Sequence, residues 1–177
     1  MELRHPNKYE SRNDMVQAVM PIKDKLYRYA FRILGNQMAA EDVVQEVFIK
    51  VWKRKEEVKT IENKEAWCMT VTRNLAFDKL RKKKYHTEPI ETSYSVKDES
   101  LNPQEKIQSD NIMELIKAAI NSLPKDQQQV VHLRDVEGYK YKEIAEITGF
   151  TIEKVKVYLH RARITLRKKL ANLNRDE

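Results

Sequence analysis

Apolar residues recur at helical spacing on both sides of one aperiodic stretch, and this pattern constrains the fold more than any other feature of the chain. Val43, Val47 and Val51 step by four residues in the first half, and so do Val44, Phe48 and Trp52. In the second half, apolar residues step by three and four between positions 152 and 170. Because a helix turns once every 3.6 residues or so, each series forms a stripe along one helix face. The stripes predict an all-α fold of amphipathic helices.

The stretch between the two halves has the composition of a linker. Residues 87–102 show no period, contain Pro89 and are rich in Thr, Ser, Glu and Asp. The whole chain of 177 residues has three glycines and five prolines, too few for the many tight turns of a β-sandwich. We therefore expect two small helical domains, residues 1–86 and 103–177, joined by a flexible acidic linker at 87–102.

Several classes of protein are disfavoured by what the sequence lacks. Cys68 is the single cysteine and the four histidines have no metal-site spacing, so we expect no disulfide, no metal and no cofactor. No carboxylate cluster or nucleophile–base pair is placed for catalysis, and we expect no enzyme activity. No apolar run approaches a membrane span, and the N-terminus does not resemble a signal peptide. These features predict a cytoplasmic protein without membrane insertion.

Residues 140–170 carry the most specific motif, which is a short helix, a glycine turn and a long basic helix. Gly149 suits the left-handed backbone between two steeply crossing helices, and Thr151 is a candidate cap for the second helix. With a net charge of +7 on the chain, the motif predicts a helix-turn-helix whose second helix enters the major groove of DNA. The candidate DNA contacts on that helix are Lys154, Lys156, Val157, Tyr158, His160 and Arg161.

The helix predicted at about 38–53 follows Gly35, a candidate cap for the end of the preceding helix. It has a polar ridge opposite its valines. The ridge consists of Asp42, Gln45, Glu46 and Ile49. A partly acidic ridge of this kind pairs with a basic protein surface, although the same pattern also occurs on an ordinary solvated helix face. The ridge is therefore a candidate protein-binding site.

A second long helix of the first half is predicted from Asn63 to about Lys84, after a predicted loop at 54–62, and it ends in a basic cluster at 79–84. Its polar side chains can hydrogen-bond an unstacked base while the basic cluster holds the phosphates. Trp67 also fits a core position, and Asp78 also fits an ion pair with Arg81. The candidate contacts to single-stranded DNA are Trp67, Arg73, Asn74, Asp78, Arg81 and Lys82.

Three segments with these features resemble the extracytoplasmic-function group of RNA polymerase sigma factors. Residues 42–52 resemble the motif by which these factors bind polymerase, and residues 67–81 resemble the segment that opens and recognises the minus-ten promoter element. Residues 123–163 resemble the helix-turn-helix that binds the minus-thirty-five element. The resemblance covers about residues 20–85 and 103–172, in the family's order and spacing.

The resemblance implies an alternative sigma factor whose partners are core RNA polymerase, promoter DNA as duplex and as melted strand, and an anti-sigma factor. The domain at 1–86, similar to sigma region 2, would bind polymerase and the minus-ten strand. The domain at 103–177, similar to sigma region 4, would bind the minus-thirty-five duplex. Val157 and Tyr158 depart from the family, which often has a small residue and an arginine there, so no promoter sequence is implied.

An ordinary helix-turn-helix regulator is the alternative that the residues leave open. Its amino-terminal half would serve dimerisation or signal sensing, and it would bind a palindrome without being a polymerase subunit. The basic segment at 79–84 and the polar ridge favour the sigma factor.

Overall fold

The computed structural model describes residues 17–85 and 103–173, and these residues form helices joined by short turns. The helices before the segment 87–102 form one compact unit, and most of those after it form a second. The prediction of an all-α protein with two helical domains is confirmed, while the predicted linker lies outside the described residues. Within the described ranges, no helix is both long and apolar enough to cross a membrane.

The first unit is built on three helices that pack against one another, with a short fourth helix between them. A 3-10 turn at Met20–Ile22 leads into the first of them. The helices are α1 (Lys23–Leu34), α2 (Gln37–Lys53), α3 (Lys55–Thr60) and α4 (Lys64–Tyr85), and α1, α2 and α4 pack together. The large, fully buried side chains of this unit include Leu26, Tyr29, Val43, Val47, Val51, Val58 and Met69.

The predicted helix boundaries of the first unit are confirmed by their capping geometry. Gly35 follows α1 with a φ of 64°, a left-handed conformation that glycine adopts without steric strain. The side chain of Asn36 accepts a hydrogen bond from the Ala39 amide at 2.9 Å and so begins α2. Asn63 accepts from the Ala66 amide at 2.9 Å in the same way and begins α4. These caps fix where the two long helices start.

Two expectations for the first unit are wrong. Residues 54–62 do not form a loop throughout, because Lys55–Thr60 is a helix anchored by the fully buried Val58. A helix of six residues is too short to show a repeat in the sequence. Trp52, expected on the apolar stripe with Val44 and Phe48, is 45% exposed. Each four-residue step rotates the side chain by about 40° around the helix, so this series drifts from buried Val44 to exposed Trp52.

The second unit contains the helix-turn-helix and the helices that support it. Its helices are α5 (Pro103–Asn121), α6 (Lys125–Val131), α7 (Tyr141–Thr148) and α8 (Ile152–Leu173), and a π-helical turn at His132–Val136 continues α6. Both α5 and α6 pack against α8. α5 begins at Pro103, and the fixed φ of proline suits the first position of a helix.

The helix-turn-helix has the geometry that its sequence predicts. Gly149 lies between α7 and α8 with a φ of 72°, and the Thr151 hydroxyl accepts a hydrogen bond from the Lys154 amide at 3.2 Å. Val155, Leu159 and Ala162 form the buried stripe of α8. Ile152, expected on that stripe, is 37% exposed because it is the first residue of the helix and lies at its end. The opposite face of α8 is therefore left on the surface.

Candidate polymerase and nucleic-acid interfaces

The polar ridge of α2 lies on the surface of the first unit. Asp42, Gln45 and Ile49 are exposed and Glu46 is partly exposed. The ridge faces solvent because the valines on the other side of α2 are buried against α1 and α4. It therefore presents two carboxylates, an amide and an apolar side chain that is 49% exposed, that of Ile49.

Lys79 of α4 is the counterion of this ridge. Its Nζ atom lies 3.4 Å from Asp42 Oδ2 and 3.2 Å from Glu46 Oε1. The two carboxylates are one turn apart on α2, where like charges repel, and the ammonium group between them relieves that repulsion. The sequence placed Lys79 in the DNA-binding cluster at 79–84, and no local spacing could have linked it to residues on another helix.

The predicted single-strand contacts on α4 divide into exposed and packed side chains. Asn74, Asp78, Arg81 and Lys82 are exposed, whereas Trp67 and Arg73 are partly buried. The exposed ones lie along the carboxyl-terminal half of the helix, so polar and basic groups lie together there.

Three of these α4 side chains have intramolecular partners. The Arg81 guanidinium donates a hydrogen bond to the Asp78 carboxylate one turn away, which confirms the predicted ion pair. The Arg73 guanidinium lies over the ring of Phe77 at 4.9 Å from its centroid. The contact between Arg73 and Phe77 therefore stabilises α4 itself. Among the predicted basic contacts, Lys82 is the exposed one nearest the carboxyl-terminal end of α4.

The outward face of α8 carries most of the predicted duplex contacts. Lys156, Val157, His160 and Arg161 are all exposed. A depression beside them is lined by Tyr141 at the start of α7 and by six side chains of α8, four of which are basic: Lys156, His160, Arg163 and Arg167. These residues form a basic edge along the helix.

Arg163 on this edge is fixed by an acidic partner. Its Nη2 atom lies 2.5 Å from Oδ1 of Asp135, and this hydrogen bond is the main reason why the pKa of Arg163 is raised above its ordinary value. The guanidinium is thus held in place and partly neutralised, whereas Lys156 and Arg161 make no ion pair within the described part of the chain. The latter two are the stronger candidates for contacts with DNA.

Lys154 and Tyr158, also predicted to contact DNA, belong to an aromatic cluster with Phe150. The Lys154 ammonium lies 4.1 Å from the centroid of the Phe150 ring and 5.2 Å from that of Tyr158. The two rings meet edge to face at 5.5 Å, and the Tyr158 hydroxyl donates to Asp126 Oδ2 at 3.4 Å. The sequence analysis missed Phe150, because it lies in the turn before the first residue of α8, where the helical repeat does not extend.

Cys68 lacks the environment of a reactive thiol. It is fully buried, and burial, followed by the nearby Glu65 carboxylate, raises the pKa of its thiol to about 12. The group therefore stays protonated near neutral pH, whereas nucleophiles and metal ligands act as thiolates. In the part of the chain that the structure describes, no group of His, Cys, Asp and Glu side chains is arranged to hold a metal ion.

Two family models match the chain, one on each unit. The model for Sigma-70 region 2 matches residues 7–85, and the model for Sigma-70, region 4 matches residues 113–166. The first therefore covers the ridge and α4, and the second covers the helix-turn-helix.

Curated relatives match over most of the chain. The ECF RNA polymerase sigma factor SigE of Mycolicibacterium smegmatis is 34% identical over 155 residues, which are 84% of this chain and 58% of the relative. The chain thus spans little more than half the length of that protein. The ECF RNA polymerase sigma factor SigW of Bacillus subtilis is 30% identical over 160 residues, which are 85% of this chain and 86% of the relative.

Solved structures share the fold. The sigma factor RpoE from Bartonella quintana, crystallised with the anti-sigma factor NepR, has a TM-score of 0.70 and 25% identity, and the match covers 89% of this chain and 97% of that one. CnrH, solved with the cytosolic domain of CnrY, has a TM-score of 0.59 and 18% identity, and the match covers 91% of this chain and 88% of that one. At this identity the match shows a shared fold. With both sigma regions in order on one chain and such relatives over most of its length, the chain belongs to the ECF RNA polymerase sigma factors.

Proposed function

We propose that this chain is an alternative sigma factor that binds core RNA polymerase, directs it to specific promoters and helps melt the DNA for transcription initiation. The observation that carries the proposal is the match to sigma region 2 at 7–85 beside the match to sigma region 4 at 113–166. A helix-turn-helix regulator acting alone would need the second region only. The alternative is therefore not favoured.

The proposed division of work follows the two units. Residues 1–86 bind polymerase and the melted minus-ten strand, residues 103–177 bind the minus-thirty-five duplex, and 87–102 link them. The chain supplies binding surfaces and no catalysis or cofactor, since RNA synthesis belongs to the polymerase, and it acts in the cytoplasm where the polymerase is. An anti-sigma factor is a further proposed partner, supported by the likeness to RpoE in its complex with NepR.

The ridge of α2 is suited to a polymerase surface that is basic with an apolar centre. Lys79 neutralises one of its two carboxylate charges, so the ridge keeps a net negative charge for a cationic partner. Ile49 supplies the apolar contact, and Gln45 supplies both a donor and an acceptor. We assign polymerase binding to Asp42, Gln45, Glu46 and Ile49.

Removing both ridge charges tests this assignment. We expect Asp42→Asn with Glu46→Gln to weaken binding to core polymerase by about tenfold at low salt, the effect of two exposed ion pairs near the upper end of their range. The measurement is the affinity of full-length protein for core polymerase, with the helical circular dichroism unchanged.

The matched control for the ridge variant is Glu56→Gln with Glu57→Gln on α3, which changes the same charge at side chains that are 70% and 59% exposed. This control should bind polymerase like the unchanged protein. Equal affinity of the ridge variant and the control would refute the assignment.

The end of α4 is suited to the phosphates of a melted strand. Asn74 and Asp78 present hydrogen-bonding groups, and Arg81 and Lys82 follow them on the exposed part of the helix. Lys79 follows Asp78 in sequence, but its ammonium group is directed to the carboxylates of α2 and is therefore not free to bind phosphate. We therefore place the phosphate contacts beyond Lys79.

A pair of lysine variants separates the two roles. Lys82→Gln should remove one phosphate contact, so the slope of log affinity against log salt for a single-stranded minus-ten oligonucleotide should fall by about 0.7. Lys79→Gln should leave that slope unchanged. The measurement is the salt titration of oligonucleotide binding by holoenzyme assembled with each variant, and the reverse pattern would show that Lys79 is the DNA contact.

The duplex interface is tested on α8. Charge reversal at Lys156 and Arg161 should weaken binding to the minus-thirty-five duplex by about a hundredfold or more, because two cations that contact phosphate or guanine become anions. Binding to core polymerase should not change. The control is charge reversal at Lys82 and Lys83 on α4, which should leave binding to the isolated duplex intact. If only this control variant binds the duplex more weakly, the roles of the two units are exchanged.

A further inference from the structure

The centre of the outward face of α8 is apolar. Val157 is 44% exposed and Ile164, two turns later, is 40% exposed. At about 100° per residue, both lie nearly opposite the buried Val155, Leu159 and Ala162. The centre of this face therefore presents branched apolar side chains to a partner.

Basic side chains flank this apolar centre on both sides. Lys156 and His160 lie on one side of Val157, and Arg161 lies on the other, all of them exposed. Lys154 is held on the Arg161 side by its contacts with the rings of Phe150 and Tyr158. Flanking cations disfavour an apolar protein surface and favour a polyanion whose phosphates lie on both sides of the helix.

An apolar side chain between two rows of basic side chains fits one group in the major groove. The edges of the bases there are hydrogen-bond donors and acceptors, with the exception of the 5-methyl group of thymine. Valine forms no hydrogen bond, and its branched Cβ restricts it to few rotamers, so it presents an apolar surface of fixed shape. We propose that Val157 recognises the methyl group of a thymine in the minus-thirty-five duplex and so determines the base preferred at that position.

This inference rests on the proposed function of α8 and is tested on a promoter duplex identified by mapping the transcripts that the reconstituted holoenzyme starts. Each thymine of the minus-thirty-five element is replaced singly by deoxyuridine, which removes the methyl group and keeps the base pair. For the unchanged holoenzyme we expect one replacement to weaken binding about fourfold, the value of one buried methyl group.

Two serine variants decide whether Val157 makes that contact. Holoenzyme with Val157→Ser should bind the thymine and deoxyuridine duplexes equally at the sensitive position. The matched control Ile164→Ser, on the same face and similarly exposed, should keep the fourfold difference there.

The outcomes distinguish a failure of the proposed role of Val157 from a failure of the proposed duplex binding by α8. Indifference of the unchanged holoenzyme to every replacement would overturn the role of Val157, and so would an undiminished difference in the Val157→Ser holoenzyme. In both cases duplex binding itself persists. Failure of the unchanged holoenzyme to bind any duplex through α8 would overturn the proposed function as well.

Discussion

The burial of one narrow apolar face on each long helix determines where every functional side chain points. Val43, Val47 and Val51 bury one side of α2, and Val155 and Leu159 bury one side of α8. Exposing even one such side chain costs about 1.5–3 kcal/mol, so neither helix can rotate about its axis. The acidic ridge and the basic outward face are what remains on the surface once those stripes are packed. The packing of the two hydrophobic cores therefore determines which side chains are left on the surface for recognition.

Charge is distributed differently on the two units, and the difference matches their proposed partners. On the first unit, Lys79 bridges two carboxylates of α2, so the acidic ridge borders the basic end of α4 without the two charges cancelling each other. On the second, Asp135 holds Arg163, while Lys156 and Arg161 stay exposed. An internal partner thus removes some cations from the recognition surface and leaves others to contact nucleic acid. A simple count of basic residues would not distinguish the two groups.

Local signals predicted most of the fold, because helix ends are specified by residues close in sequence. Gly35, Asn63 and Gly149 end or begin helices through their own backbone or side chain, and each was identified from its position beside an apolar stripe. The helix at Lys55–Thr60 was missed because its single buried anchor forms no repeat. The role of Lys79 was also missed, because it depends on how α4 packs against α2. The family resemblance supplied the candidate surfaces, but the structure was needed to show which of their side chains have internal partners.

The central claim is that one chain binds polymerase through its first unit and duplex DNA through its second. Run-off transcription with purified core RNA polymerase, this protein and a genomic promoter library tests it most directly. We predict transcripts that start at a discrete set of sites and that depend on the added protein. If core polymerase does not bind the protein and no dependent start site is found, the chain is not acting as a sigma factor, whatever its affinity for DNA.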